Sequence, residues 1–176
     1  MEIKPKKKLG QNFLINEKIL KDIVKIGNIT NKDTLLEIGP GTGNLTKHLV
    51  YSNPKDLIVV EKDTKLSKYL NLKFKNSIKI INEDVLILPD RFFKKKFKVF
   101  GNLPYNISTK ILSNWCLNNN IKFKKLILMF QKEVAERIIS KVNLPSYGRL
   151  SIISNWKLDI EKIIDIKPEA FRPKPK

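Results

Sequence analysis

Thr34-Leu-Leu-Glu-Ile38 runs without a break into Gly39-Pro-Gly-Thr-Gly43, and a helical pattern opens at Asn44. A strand, a glycine-rich crossover and a helix in immediate succession are the local plan of a parallel α/β sheet. Glycines at that crossover let backbone N–H groups approach a ligand in the crevice at the carboxyl end of the strands. The spacing departs from the dinucleotide pattern, because Asn44 stands where a third glycine would fall. A glycine triplet also occurs in ordinary turns, so the neighbouring strand ends decide the reading.

Working outward, short apolar runs alternate with helical periodicity. Strands are predicted at residues 34–38, 57–61, 78–81, 98–101, 125–130, 150–156 and 160–166. Helices are predicted at 44–51, 64–74, 108–118 and 132–140, preceded by one carrying Ile15, Ile19, Leu20, Ile23 and Val24, with Asn16 as N-cap and Gly27 near its end. This alternation predicts an α/β fold: a mostly parallel seven-stranded sheet with helices on both faces. The last two strands are so closely linked that they are expected to form an antiparallel hairpin at the sheet edge.

The bulk properties bound the function. With 176 residues and 41% hydrophobic content the chain suits one domain, read as residues 1–176 with an N-terminal arm and helix over 1–30. The longest apolar runs, 57–60 and 126–130, are strand-sized and too short to span a bilayer. Lys4, Lys6, Lys7 and Lys8 are followed by no apolar stretch of signal-peptide length. The single cysteine, Cys116, excludes an internal disulfide, fits a reducing cytoplasm and falls on an apolar helix face with Ile111, Leu112 and Trp115. One Cys and one His make no metal cluster. The net charge of +18 points to a polyanionic partner, although a Lys-, Ile- and Asn-rich chain is also what an AT-rich genome gives any protein. The lysines at 94–96 with Lys98 read equally as a solvated loop or as phosphate contacts. Arg137 and Arg149 face either RNA or carboxylates, and His48 reads as exposed and without a role.

Chemistry enters at the strand ends. Glu61 closes the second strand twenty positions after Gly41, where a carboxylate can accept both hydroxyls of a ribose. Asp84, followed by Val85, sits at the tip of the third, where an acid can accept from an adenine amino group. Together with Gly39 and Gly41 these residues outline an adenosine pocket. The fourth strand ends in Gly101-Asn-Leu-Pro-Tyr105. An exocyclic amine on a flat base is a poor nucleophile, because its lone pair is delocalised into the ring. Two acceptors on its N–H groups would hold it and favour a more tetrahedral nitrogen. Asn102 offers its side-chain oxygen and Leu103 its backbone carbonyl, which Pro104 aims by biasing Leu103 toward extended backbone. Tyr105 offers a ring on which the base can stack. The same four residues can also form a plain turn.

The chain resembles the ribosomal RNA adenine dimethyltransferase family, in its bacterial small-subunit branch. The resemblance rests on Leu9-Gly-Gln-Asn-Phe-Leu14, Glu37-Ile-Gly-Pro-Gly-Thr-Gly43 and Asn102-Leu-Pro-Tyr-Asn-Ile-Ser-Thr109, continued in Phe130–Arg137, Tyr147–Ser151 and Ala170–Pro175. It implies a Rossmann-like class I S-adenosylmethionine-dependent methyltransferase, monomeric and cytoplasmic, with no metal and no membrane. It implies that Asn12, Leu14 and Gly39 contact S-adenosylmethionine, that Glu61 takes its ribose and Asp84 its adenine, and that Asn102 faces both cofactor and target. Tyr105 and Phe171 would sandwich the flipped adenine. The implied partner is ribosomal RNA in the small subunit, where the family dimethylates two adjacent adenines. The family's helical C-terminal domain would lie beyond Lys176. Rival readings are a large-subunit methyltransferase of the macrolide-resistance type, a DNA adenine methyltransferase, and a non-enzymatic RNA-binding factor on the same scaffold. Leu103, where the DNA enzymes usually carry a proline, and Asn106-Ile-Ser-Thr109 favour the small-subunit branch.

Overall fold

The computed structural model describes residues 5–6 and 10–175; Lys4, Lys7, Lys8, Leu9 and Lys176 lie outside the described residues. The elements, in order, are β1 (Phe13–Leu14), α1 (Glu17–Ile26), β2 (Thr34–Ile38), α2 (Asn44–Tyr51), β3 (Asp56–Val60), α3 (Thr64–Phe74) and β4 (Lys79–Ile81). They continue with β5 (Phe97–Asn102), α4 (Ser108–Leu117), β6 (Phe123–Met129), α5 (Lys132–Ile139), α6 (Arg149–Lys157) and β7 (Phe171–Arg172).

Five strands form one parallel sheet in the order β4-β3-β2-β5-β6. Successive side chains alternate between the faces, and both faces are covered, so the central strands are apolar nearly throughout. Leu35, Leu57, Val59 and Phe100 enter one core with Leu20 and Ile23 of α1 and Leu45 and Leu49 of α2. Leu36, Ile38, Ile58, Val60 and Val99 enter the other with Ile111 and Trp115 of α4. The chain moves outward from β2 through β3 to β4, then returns to lay β5 on the opposite side. The order therefore reverses between β2 and β5, and the crevice at their carboxyl ends is where a doubly wound sheet takes its ligand.

Helix ends follow local chemistry. Asn16 caps α1, its side chain accepting from the Ile19 N–H at 3.1 Å. Asp63 caps α3 in the same way through the Lys65 N–H at 2.9 Å. Cys116 is buried in a satellite core with Leu112, Val134 and Ile138. No described helix is long and apolar enough to cross a membrane.

Four expectations are corrected. Residues 150–156 are not a strand but lie in helix α6. Its buried positions include Ser151 and Ser154, both inaccessible, so the inward face is partly made of small hydroxyl residues that a reading of apolar periodicity scores as polar. Ile152 and Trp156 point to solvent. Residues 160–166 form no regular element and join no ladder among the described residues, and Ile163 is 52% exposed. The main sheet thus has five strands rather than seven. The antiparallel pairing lies elsewhere, between β1 and β7, with Leu14 opposite Phe171 and Phe13 opposite Arg172. Lys98 is the third correction: it is buried inside β5, not a phosphate contact, and its Nζ donates to Asp33 Oδ2 at 2.8 Å and to the Asn28 carbonyl at 2.6 Å. Lys124 closes the same cluster on Asp33 Oδ1 at 2.6 Å. Burial opposes ionisation of Asp33, but the two ammonium groups and the Thr30 donors outweigh it and hold the carboxyl far below its usual range. His48 is likewise not free: its Nε2 lies 2.8 Å from Glu17 Oε2, joining α2 to α1.

Candidate active site

The turn after β2 is held open by backbone that only glycine adopts readily, with φ of +65° at Gly39 and +59° at Gly41. The Gly39 N–H donates to the Val60 carbonyl at 2.9 Å, so the turn is registered on β3. Beside it lies Glu61, 6% exposed. Its Oε2 accepts from the Gly41 N–H at 3.2 Å and its Oε1 from the Asp63 N–H at 2.8 Å. Burial pushes the Glu61 carboxyl up, against these two donors and with help from the nearby Asp63 charge. The carboxylate is thus rigid before any ligand arrives. A carboxylate has about four lone-pair sites, so two remain for further donors.

Asp84 ends the crossing from β4. Its Oδ1 accepts from the Leu86 N–H at 2.9 Å and its Oδ2 from Lys62 Nζ at 2.8 Å. Burial would raise this carboxyl, but the hydrogen bonds from Lys62 and Leu86 prevail and keep it below its ordinary value, hence ionised. Val85, the next residue, is buried and contributes an apolar wall.

From the other side of the crevice, β5 delivers Asn102-Leu-Pro-Tyr105. A Cβ on Gly39 would stand 3.7 Å from the Asn102 carbonyl oxygen and 3.8 Å from Pro104, so the glycine turn and this motif abut. The Asn102 Nδ2 donates to the Asn12 carbonyl at 2.6 Å. A backbone carbonyl can only accept, so the amide nitrogen must face Asn12, and the side-chain oxygen is left for another donor. Leu103 has a buried side chain, and its carbonyl accepts no hydrogen bond among the described residues. Tyr105 is half-buried, and burial raises its hydroxyl.

One cleft is lined by Asn12, Gly39, Gly41, Glu61, Asp84 and Val85 together with Asn102, Leu103, Pro104 and Tyr105. Asn102 and Tyr105 also line a second, adjoining groove, and Phe171 lines only that one. Two of the expected site residues are set largely in the core. The Leu14 side chain is in the core, and its carbonyl is taken by Asn44 Nδ2 at 2.8 Å. Phe171, 7% exposed, belongs largely to the same core.

Residues that pattern reading passed over complete the site. Glu37 is sealed beneath the glycine turn, accepting from Thr46 Oγ1 at 2.7 Å. Its burial, assisted by the Glu61 charge and opposed by the Thr46 hydrogen bond, pushes its carboxyl up to about 8. Lys62 and Asp63 flank Glu61, and Asn82 Nδ2 donates to the Glu61 carbonyl at 2.8 Å. The signal for Lys62 and Asp63 was their adjacency to a strand-end carboxylate. No sequence spacing points from Asn44 to the arm thirty residues earlier.

The cleft presents a fixed carboxylate, a second, ionised acid and an apolar wall, an acceptor set whose chemistry fits the adenosine end of S-adenosylmethionine. A parallel sheet with its ligand crevice at the switch point, a glycine turn and a strand-end carboxylate define a Rossmann-like methyltransferase. Residues 3–176 match the family described as ribosomal RNA adenine dimethylase. The chain belongs to that family. It is 57% identical, over its whole length, to ribosomal RNA small subunit methyltransferase A of Pelagibacter ubique, of which it covers 68%. It is 43% identical to the protein of the same name from a Wolbachia strain of Drosophila simulans, covering 65% of it. Among solved structures, a dimethyladenosine transferase from Plasmodium falciparum superposes with a TM-score of 0.82 at 30% identity, over 93% of this chain and 59% of the other. The 23S rRNA methyltransferase ErmE superposes with a TM-score of 0.75 at 27% identity, over 93% of this chain and 65% of the other. The chain thus spans about two thirds of the length of the curated relatives it matches.

Proposed function

We propose that this chain binds S-adenosylmethionine in the cleft between β2 and β5 and directs methyl transfer to N6 of adenine in small-subunit ribosomal RNA, two methyl groups on each of two adjacent adenines. S-Adenosylmethionine supplies an electrophilic methyl group on a sulfonium. The protein's task is to hold the amine, orient it in line and exclude water. Glu61 accepts the ribose hydroxyls, Asp84 accepts from the adenine amino group, and Gly39, Gly41, Val85 and Asn12 shape the walls. In the first transfer the Asn102 side-chain oxygen and the Leu103 carbonyl accept from the two N–H groups of the target amine. In the second, one of them accepts from the single N–H that remains. Each transfer breaks the S–methyl bond as the N–methyl bond forms and releases one proton from nitrogen. The acceptors pull the amine's lone pair out of conjugation as charge develops on nitrogen. Tyr105 and Phe171 stack on the extruded base, offsetting the cost of removing it from its helix.

The observation that carries this reading is the committed amide of Asn102. One N–H of its amide is engaged by Asn12 at 2.6 Å, which fixes which way the amide is turned and leaves the side-chain oxygen, without a partner among the described residues, as an acceptor on a residue that lines both clefts. The small-subunit relatives favour the small subunit over the large one as substrate. The test is single-turnover methyl transfer to purified small subunits, with methylated adenines mapped by mass and large subunits as control. Asn102→Ala should lower the rate by on the order of 10²–10³-fold, the loss seen when an aimed polar group is removed from a transition state. Near wild-type transfer by Asn102→Ala would remove the amine-activation role. Methylation of large subunits alone would move the substrate to the macrolide-resistance class.

A further inference from the structure

The N-terminal arm does more than close over the cofactor cleft. Asn12 gives its carbonyl to the Asn102 amide at 2.6 Å. Leu14 gives its carbonyl to Asn44 at 2.8 Å, tying the arm to the first turn of α2. Between them Phe13 lies against the glycine turn: a Cβ on Gly41 would fall 2.6 Å from the ring Cδ1 and 2.8 Å from Cε1. The ring is therefore in direct contact with the backbone of Gly41, and no other residue type would admit it there. Phe13 and Leu14 form β1, whose partner strand carries Phe171. The Ile15 N–H extends that pairing to the Ala170 carbonyl at 2.8 Å. One short ribbon thus touches the glycine turn, the Asn102 amide and the backbone of Phe171.

We propose that Phe13 is a positioning residue for methyl transfer: seated on Gly41, it fixes the arm so that Asn12 orients the Asn102 amide and β1 holds Phe171 at the base-stacking groove. The proposal rests on the roles given above to Asn102 and Phe171. Phe13 itself touches neither group directly; it acts through the Asn12 carbonyl and the β1–β7 pairing. Without the ring the arm can lift, and the Asn102 amide, freed from its acceptor, can rotate to present nitrogen to the target amine. A donor facing a donor weakens activation without removing any atom of the motif.

The experiment uses the full-length protein and single-turnover transfer to small subunits, with the cofactor varied. Phe13→Ala should lower the rate at saturating cofactor on the order of 10- to 100-fold, the cost of misplacing a reacting group by about an ångström. The cofactor KM should move far less. Phe13→Leu, which keeps apolar bulk on Gly41, should recover part of the rate. A Phe13→Cys, Arg172→Cys pair, placed on residues that face each other across β1 and β7, should be slow when reduced and faster when the crosslink forms, because the arm is then pinned without the ring. Arg172→Cys alone is the control. A wild-type rate for Phe13→Ala overturns the proposal. So does a loss confined to cofactor KM, which would make Phe13 a wall of the cofactor cleft only. If Asn102→Ala is itself active, the underlying reading has failed, whatever Phe13 does.

Discussion

Glu37 lies two residues before the glycine turn with its carboxyl sealed from water, and its proton is the most sensitive reporter at the scale of single residues. Burial, with the Glu61 charge beside it and against the Thr46 hydrogen bond, moves it from 4.5 to about 8. The folded protein therefore keeps a proton that the unfolded chain gives up. Stability is fully present below the unfolded value and is lost as pH rises toward and through the folded one. Glu37→Gln is uncharged at every pH and can still accept from Thr46. Thermal melts should show the mutant matching wild type near about pH 5 and exceeding it increasingly toward about pH 9. A wild-type melting temperature that does not fall over that range relative to the mutant would show that Glu37 is ionised in the fold. Glu61 and Asp84 were readable in the sequence, because a carboxylate at a strand end beside a glycine turn has few other uses. The sealing of Glu37 was not, since nothing in a strand's alternation says which buried residue is an acid without a countercharge.

At the scale of elements, α6 shows what periodicity misses. Ser151 and Ser154 share its inward face with Leu150 and Ile153, and the helix packs on α4 and α5. The two serines differ. Ser151 Oγ accepts from the Gly148 N–H at 3.2 Å and donates to the Arg137 carbonyl at 2.5 Å. Ser154 Oγ is buried and has no hydrogen-bond partner among the described residues. A buried hydroxyl without a partner costs about 1–3 kcal/mol, and alanine is also the better helix former. Ser154→Ala should therefore stabilise the protein by about 1 kcal/mol, whereas Ser151→Ala should destabilise it by a similar amount. Urea unfolding of both variants decides. Destabilisation by Ser154→Ala would mean that the hydroxyl has a partner after all. Residues 150–156 show no helical apolar stripe because two of the inward positions, Ser151 and Ser154, are serine. Here its small size lets helices approach, and its hydroxyl is absorbed locally.

Over the whole molecule, burial is uneven in sign. Asp33, Glu61 and Asp63 are buried acids and Glu37 is buried with its proton on, while among the described residues Lys98 is the one buried cation, so the exterior is more positive than the formal +18. Binding of the 176-residue chain to RNA should be dominated by counterion release. Affinity should fall by at least about tenfold between about 50 and 200 mM salt, with weak sequence preference. Filter binding that is flat across that range would remove the electrostatic account. The alternation of apolar runs, the glycine turn, the strand-end acids and the Asn102–Tyr105 motif were determined by sequence alone, because each depends on residues close together in the chain or on one strand's period. The five-stranded order, the conversion of residues 150–156 to helix and the burial of Lys98 on Asp33 were decided only in three dimensions. So was the joining of Phe13, Gly41, Asn102 and Phe171 by one ribbon. These depend on contacts between segments as many as about 160 residues apart, and such pairings leave no trace in local spacing.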